Sequence, residues 1–216
     1  MRNIISFIYW FFLKTKNYSQ GNEEEILLKL FKNKNKGFFI DVGCHHPKRF
    51  SNTAALYRKG WSGINLDADL KTIRLFKFFR KRDINLNHFI SKNKKEVEYN
   101  IFDDNALNGS FDNNRIEALK KIGYKASASK QLKTKTLNEI IEKYKPQINL
   151  IDLLDIDVEG YDFDVLQSIN LKKYNVYSIL IEVGNEESEI DSYLNKFGYV
   201  RYISIDRNKL YIKKYK

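Results

Sequence analysis

Short apolar runs alternate along the chain with longer stretches in which apolar positions recur every three or four residues, the signature of strands and helices taken in turn. Glu23 to Phe31 carries Ile26, Leu27, Leu30 and Phe31 at helical spacing behind acidic residues that suit a helix N-terminus. Phe38 to Val42 reads as a buried strand, and Asn52 to Lys59, with Ala54, Ala55 and Leu56, as a helix closed by Gly60. Trp61 to Leu66 is a second strand ending at Asp67, Leu70 to Lys81 a helix, and Ile84 to Ile90 a third strand. Glu96 to Phe102 alternates Val97, Tyr99 and Ile101 as an extended piece. Asp103 to Ser110, rich in Asp, Asn and Gly, is a loop whose Asn108 to Ser110 is a candidate lid. Further on, Lys133 to Lys145 is a helix stopped by Pro146, Asn149 to Gly160 a hydrophobic strand with carboxylates crowded at its end, and Tyr161 to Ser168 a helix. Val176 to Val183 is another buried strand and Glu187 to Phe197 the last helix. Tyr199 to Ile205 and Lys209 to Lys214 are strands joined by the hairpin turn Asp206-Arg207-Asn208. Alternation of this kind, finishing in an antiparallel hairpin, predicts an α/β fold.

The chemistry gathers at strand ends. Gly37 to Gly43 is an apolar run that closes on Asp41 and Gly43, the form of a parallel strand opening into a ligand-binding loop. His45, His46 and Pro47 fill the turn that follows. Asp67 lies 26 residues beyond Asp41, the length of one strand, one crossover helix and the next parallel strand, so the two acids end neighbouring strands on one sheet edge. Asp155, Asp157 and Glu159 alternate, and share one face if the pleat continues to the end. Their mutual repulsion calls for a cation or for hydrogen-bond donors, which marks this strand end as a functional site.

Composition adjusts this picture in three places. With 216 residues there is material for one full core, read as a domain over 18–216 behind an apolar and aromatic segment, 1–17. Cys44 is the single cysteine, so no intramolecular disulfide forms and a reducing cytoplasm is the expected setting. The net charge is +11, but the basic clusters Lys32 to Lys36, Arg80 to Arg82 and Lys92 to Lys95 read as solvated surface charge, and nucleic acid is not an expected partner. Ile4 to Leu13 is too short to span a bilayer and lacks a small-residue cleavage site. It is either a helix docked on the domain or a partner, or an interfacial anchor at the inner face of the membrane. Oligomeric state is open.

Several blocks together resemble the FkbM-type methyltransferases, a class I, S-adenosylmethionine-dependent family. They are Ser19-Gln20, Phe39 to Gly43, His46-Pro47 with Ser51-Asn52-Thr53, Gly60 to Asp67, Ile156 to Leu166, and Ile179 to Val183. The resemblance runs from about Tyr18 to the C-terminus. It implies a Rossmann-like three-layer sandwich with a mostly parallel seven-stranded sheet ending in the antiparallel hairpin, S-adenosylmethionine as cofactor, and methyl transfer to a hydroxyl of a sugar or sugar-phosphate intermediate in bacterial surface polysaccharide synthesis. On the family pattern Asp41 and Gly43 line the methionine part of the cofactor and Asp67 accepts the ribose hydroxyls. Gln20, Ser51, Asn52, Thr53 and Asp157 are further cofactor contacts. Asp157 is the first choice for the base or acceptor-orienting group, with Glu159 beside it on the amino group or the acceptor. His45 and His46 are rival bases, of which adjacent placement lets at most one face the cleft. The spacing of the acids matches no metal motif, so none is expected. An amine or another small metabolite as acceptor stays open, as does a non-catalytic basic module binding membrane or nucleic acid.

Overall fold

The computed structural model describes residues 17–93, 96–101 and 113–214. The first helix, α1 (Glu23–Leu30), leads into β1 (Phe38–Val42), followed by α2 (Ala54–Lys59), β2 (Ser62–Asp67), α3 (Leu70–Phe79) and β3 (Ile84–Asn87). Next come β4 (Phe89–Ile90), β5 (Glu96–Ile101), α4 (Asn113–Lys121) and β6 (Ala128–Lys135). The chain then runs through α5 (Leu137–Tyr144), β7 (Ile151–Ile156), α6 (Asp162–Leu166), β8 (Val176–Glu182) and α7 (Glu187–Lys196), and ends in the hairpin β9 (Tyr199–Ile205) and β10 (Asn208–Lys213). Seven strands form one sheet in the order β3-β2-β1-β7-β8-β10-β9, and β4-β6-β5 form a small second sheet. Within the large sheet β3, β2, β1, β7 and β8 are parallel, and β10 runs antiparallel to both β8 and β9, as the C-terminal hairpin requires.

The central strands are buried on both faces, so successive residues enter opposite cores. Ile40, Val42, Leu154 and Ile156 pack with Leu137 and Ile141 of α5, Val165 of α6 and Leu194 of α7. Phe39, Leu153 and Leu180 pack on the other side with Leu27 of α1, Leu56 of α2 and Trp61. The chain proceeds outward from β1 through β2 to β3, and outward in the opposite direction from β7 to β8. The reversal falls between β1 and β7, where the ends of adjacent parallel strands leave a crevice for a ligand. Gly43 closes this junction. It has φ +84, and a Cβ there would stand 1.8 Å from the Asp157 carbonyl oxygen, so the β1 and β7 ends meet only because the residue is glycine.

Several expected boundaries move. The third strand does not run through Ile90: the His88 N–H donates back to the Leu86 carbonyl at 3.2 Å, and β3 and β4 join different sheets. Lys133 to Lys135 belong to β6 rather than to a helix, because Thr136 and Glu139 form a capping box that starts α5 at Leu137. The strand expected over Asn149 to Gly160 is confined to Ile151–Ile156, and Glu159 takes φ +59 in the turn beyond, so Asp155, Asp157 and Glu159 do not share a pleated face. The helix expected from Asn52 starts at Ala54. The hairpin turn tightens to Asp206-Arg207, with φ +50 at Asp206. Ile4 to Leu13 and the candidate lid at Asn108 to Ser110 lie outside the described residues. No helix among the described residues is long and apolar enough to cross a membrane.

Candidate functional site

Register sets a polar row across the strands of the reversal. Asp41 stands opposite Asp155 on β7 and opposite Asn65 on β2, and Asn65 opposite Asn85 on β3. By alternation these side chains share the face of Phe39 and Leu153, directly beyond that core. All four are buried, and such a row is tolerable only with partners.

Arg80 supplies most of them. It follows α3, wholly buried, and its Nε donates to the Pro47 carbonyl at 3.0 Å. One terminal nitrogen donates to Thr53 Oγ1 at 2.7 Å and the other to Ser51 Oγ at 2.8 Å. Thr53 Oγ1 in turn donates to Asp41 at 2.5 Å, and Asp83 lies 4.0 Å from the guanidinium. Burial raises the Asp41 pKa, and Arg80 and the Thr53 hydroxyl pull it back. Asp83 accepts from the Gly63 N–H and the Asn65 amide. The expected surface cluster Arg80 to Arg82 is therefore corrected at its first member, which is the internal counter-charge of the row. Its place is readable in the helix: Ile73 and Phe76 face inward, and position 80 continues their stripe.

Three of the expected cofactor contacts, Asp41, Ser51 and Thr53, are thus joined to one another through Arg80. Asn52 reaches the row from the same loop, its amide donating to Asp155 Oδ1 at 3.3 Å. Gln20 is exposed in the turn before α1, held near this loop by a hydrogen bond from the Ser51 N–H to the Tyr18 carbonyl at 3.0 Å.

At the end of β2, Asp67 accepts the His45 N–H at 3.0 Å on one oxygen and the Asp69 N–H at 2.7 Å on the other. Asp69, not Asp67, caps α3 by accepting from the Lys71 and Thr72 amides. Burial nonetheless raises the Asp67 pKa from 3.8 to about 7, against the two backbone hydrogen bonds. His46 accepts the N–H groups of Lys48 and Arg49 on Nδ1 at 3.0 and 2.9 Å. Burial, with His45 and nearby cations, lowers its pKa to about 4, so the ring is neutral with its proton on Nε2. His45 takes φ +51 and stacks on Phe50 at 6.2 Å between ring centroids.

On the β7 side the Asp157 N–H donates to the Val42 carbonyl at 3.0 Å, tying the turn to β1. Asp162 accepts the Val158 and Gly160 N–H groups, each at 3.0 Å, and so fixes the turn that carries Asp157 and Glu159. Burial raises the Asp157 pKa, with Glu182, Asp162, Glu159 and Asp41 adding to the rise. Asp41, Asp155 and Asp162 each accept a hydrogen bond, whereas the Asp157 carboxylate takes none from a described residue. Asp157, Asp162 and Glu182 present oxygens within 4.8 Å of one another, a separation a divalent ion could bridge, although sequence spacing had given no such match. Asp162 and Glu182 were not expected at the site; the available signals were the acid-rich segment from Asp155 to Asp164 for the first and the close of the β8 apolar run on an acid for the second.

Burial also lifts Asp162 to about 7. The folded chain therefore holds protons on Asp67 and Asp162 more tightly than the unfolded chain, so what these groups contribute to stability is full below about pH 4 and is lost as pH rises through about 7. Thermal unfolding of the ligand-free protein should accordingly give a lower midpoint at about pH 8 than at about pH 6. A midpoint that rises over this interval would show that these carboxyls are better solvated than their positions indicate.

Carboxyls crowded at a sheet crevice in a chain of net charge +11 suit a cationic ligand that also offers hydroxyl groups. A family model described as "Methyltransferase FkbM domain" matches residues 41–201. No curated protein and no solved structure matches the chain.

Proposed function

The chain belongs to the FkbM methyltransferase family and is an S-adenosylmethionine-dependent methyltransferase; from that premise we propose that it methylates a hydroxyl of a sugar or sugar-phosphate intermediate of surface polysaccharide, on a Rossmann-like class I fold. The observation that carries the reading is that Asp67 ends β2 and Asp157 directly follows β7, the two strands that flank β1 at the reversal of the sheet. The donor set fits the cofactor, whose sulfonium and ammonium groups are cationic and whose ribose offers two adjacent hydroxyls.

When bound, S-adenosylmethionine supplies an electrophilic methyl group. Asp67 would accept the ribose hydroxyls, its oxygens already oriented by the His45 and Asp69 amides. Asp41 and Gly43 would border the methionine part, with Asn52, Ser51, Thr53 and Gln20 setting the loop around it. Asp157 would take the proton of the acceptor hydroxyl, since a carboxylate raised by burial and like charges is a stronger base than one in water. Glu159 would orient the acceptor or the cofactor's amino group. His46, neutral and with Nδ1 occupied by two amides, would serve as a donor through Nε2 rather than as the base. Positive net charge favours a phosphorylated acceptor.

Calorimetric titration with S-adenosylmethionine and its demethylated product tests the cofactor site. Wild type should bind both, and Asp67→Ala should weaken binding by at least about 100-fold, since each of two hydrogen bonds to a charged acceptor is worth about 1.5–3 kcal/mol. Folded wild type that binds neither would overturn the reading. A screen of sugar, sugar-phosphate and amine acceptors with wild type then tests the substrate class, and transfer to amines alone would overturn the hydroxyl assignment.

A further inference from the structure

The side of α3 turned from the sheet is basic and apolar at once. Leu70, Lys71, Arg74, Lys77 and Phe78 are exposed on it, and Lys81 and Arg82 are exposed just beyond. Residues 70, 74, 77, 78 and 81 recur at helical spacing, opposite the buried Thr72, Ile73 and Phe76. Leu70 is 42% exposed and Phe78 is 58% exposed, the ammonium of Lys81 standing 5.8 Å from the Phe78 ring. No acidic residue occurs from 70 to 82, and Asp69 just before is occupied by the helix cap.

Two of the seven large hydrophobic residues exposed among the described residues, Leu70 and Phe78, therefore fall on this one helix face, interleaved with cations.

We propose that the outer face of α3 docks on an anionic lipid surface. Its cations meet the headgroups, while Leu70 and Phe78 enter the boundary with the acyl chains. The charge is complementary to such a surface over the whole helix. The aliphatic Leu70, one turn before Arg74, favours lipid over a nucleic acid, whose phosphates and bases reward cations and aromatic rings. The residues of this face are distinct in sequence from Ile4 to Leu13, the segment for which the sequence offers an interfacial role.

Sedimentation of the full chain with phosphatidylglycerol-containing vesicles, beside pure phosphatidylcholine vesicles and single-stranded RNA, tests the proposal. Wild type should partition to the anionic vesicles, Arg74→Glu/Lys77→Glu should reduce partitioning by at least about tenfold, and Phe78→Ser should reduce it severalfold. All three proteins are compared by circular dichroism to verify folding. Wild type that does not sediment, or binding that survives both variants, overturns the proposal. Binding to RNA as strong as to vesicles and insensitive to Phe78→Ser overturns it in favour of a polyanion site.

Discussion

Arg80→Met should destabilise the protein by about 3–5 kcal/mol, the cost of leaving one partner of a buried charge network unpaired. The side chain is wholly buried, and its removal strips the Pro47 carbonyl, Thr53 and Ser51 of their donor in one step. It also leaves Asp41 and Asp83 buried without their cation. Urea denaturation monitored by circular dichroism measures the loss. Asp41→Asn in the Arg80→Met background should recover part of it, because a neutral amide no longer requires the guanidinium, and the two changes should be clearly non-additive. A loss below about 1 kcal/mol would place the stabilisation elsewhere in the row. Cofactor affinity should fall along with stability, since Arg80 ties Pro47, Ser51 and Thr53 in the loop that follows β1.

The second large effect is catalytic. Asp157→Asn should lower kcat by about 10²- to 10⁴-fold, the range of general base catalysis, while S-adenosylmethionine affinity changes only severalfold. The amide keeps the shape of the side chain and cannot take a proton. The wild-type rate should climb with pH until Asp157 is ionised, at a pH above the ordinary carboxylate range, because burial and the surrounding acids oppose its charge. The variant should lose that dependence. Rate against pH for both proteins, with calorimetry for the cofactor, decides the matter. An unchanged pH profile in Asp157→Asn would remove it as the base and leave His45 as the candidate, since His46 has Nδ1 engaged by two backbone amides.

Most of the sheet could be read from local pattern. The apolar runs ending at Val42, Leu66 and Glu182 are strands within a residue or so of expectation, because strands buried on both faces leave near-continuous hydrophobic sequence. The small sheet was less legible. β6 is polar and Lys-rich, and its final residues run without a sequence break into the helical pattern that the Thr136 cap starts. Likewise β4 was merged with β3, since the turn at His88 carries neither Gly nor Pro to signal a break.

At the site, the acids were visible as a spacing but their separate environments were not. Local pattern is enough to show that Asp41 and Asp67 end adjacent parallel strands, that further acids crowd the end of β7, and that the chain closes in a hairpin. These follow from local periodicity and from the length a crossover connection needs. The folded arrangement alone reveals that Asp41 is countered by Arg80, that Asp155 accepts from Asn52, and that the Asp157 carboxylate takes no hydrogen bond from a described residue. It likewise turned Arg80 from a supposed surface cation into the centre of a buried network. The reason is physical: whether an ionisable side chain is solvated, paired or left with a shifted pKa depends on groups brought beside it from distant parts of the chain, and local sequence periodicity carries no record of those neighbours.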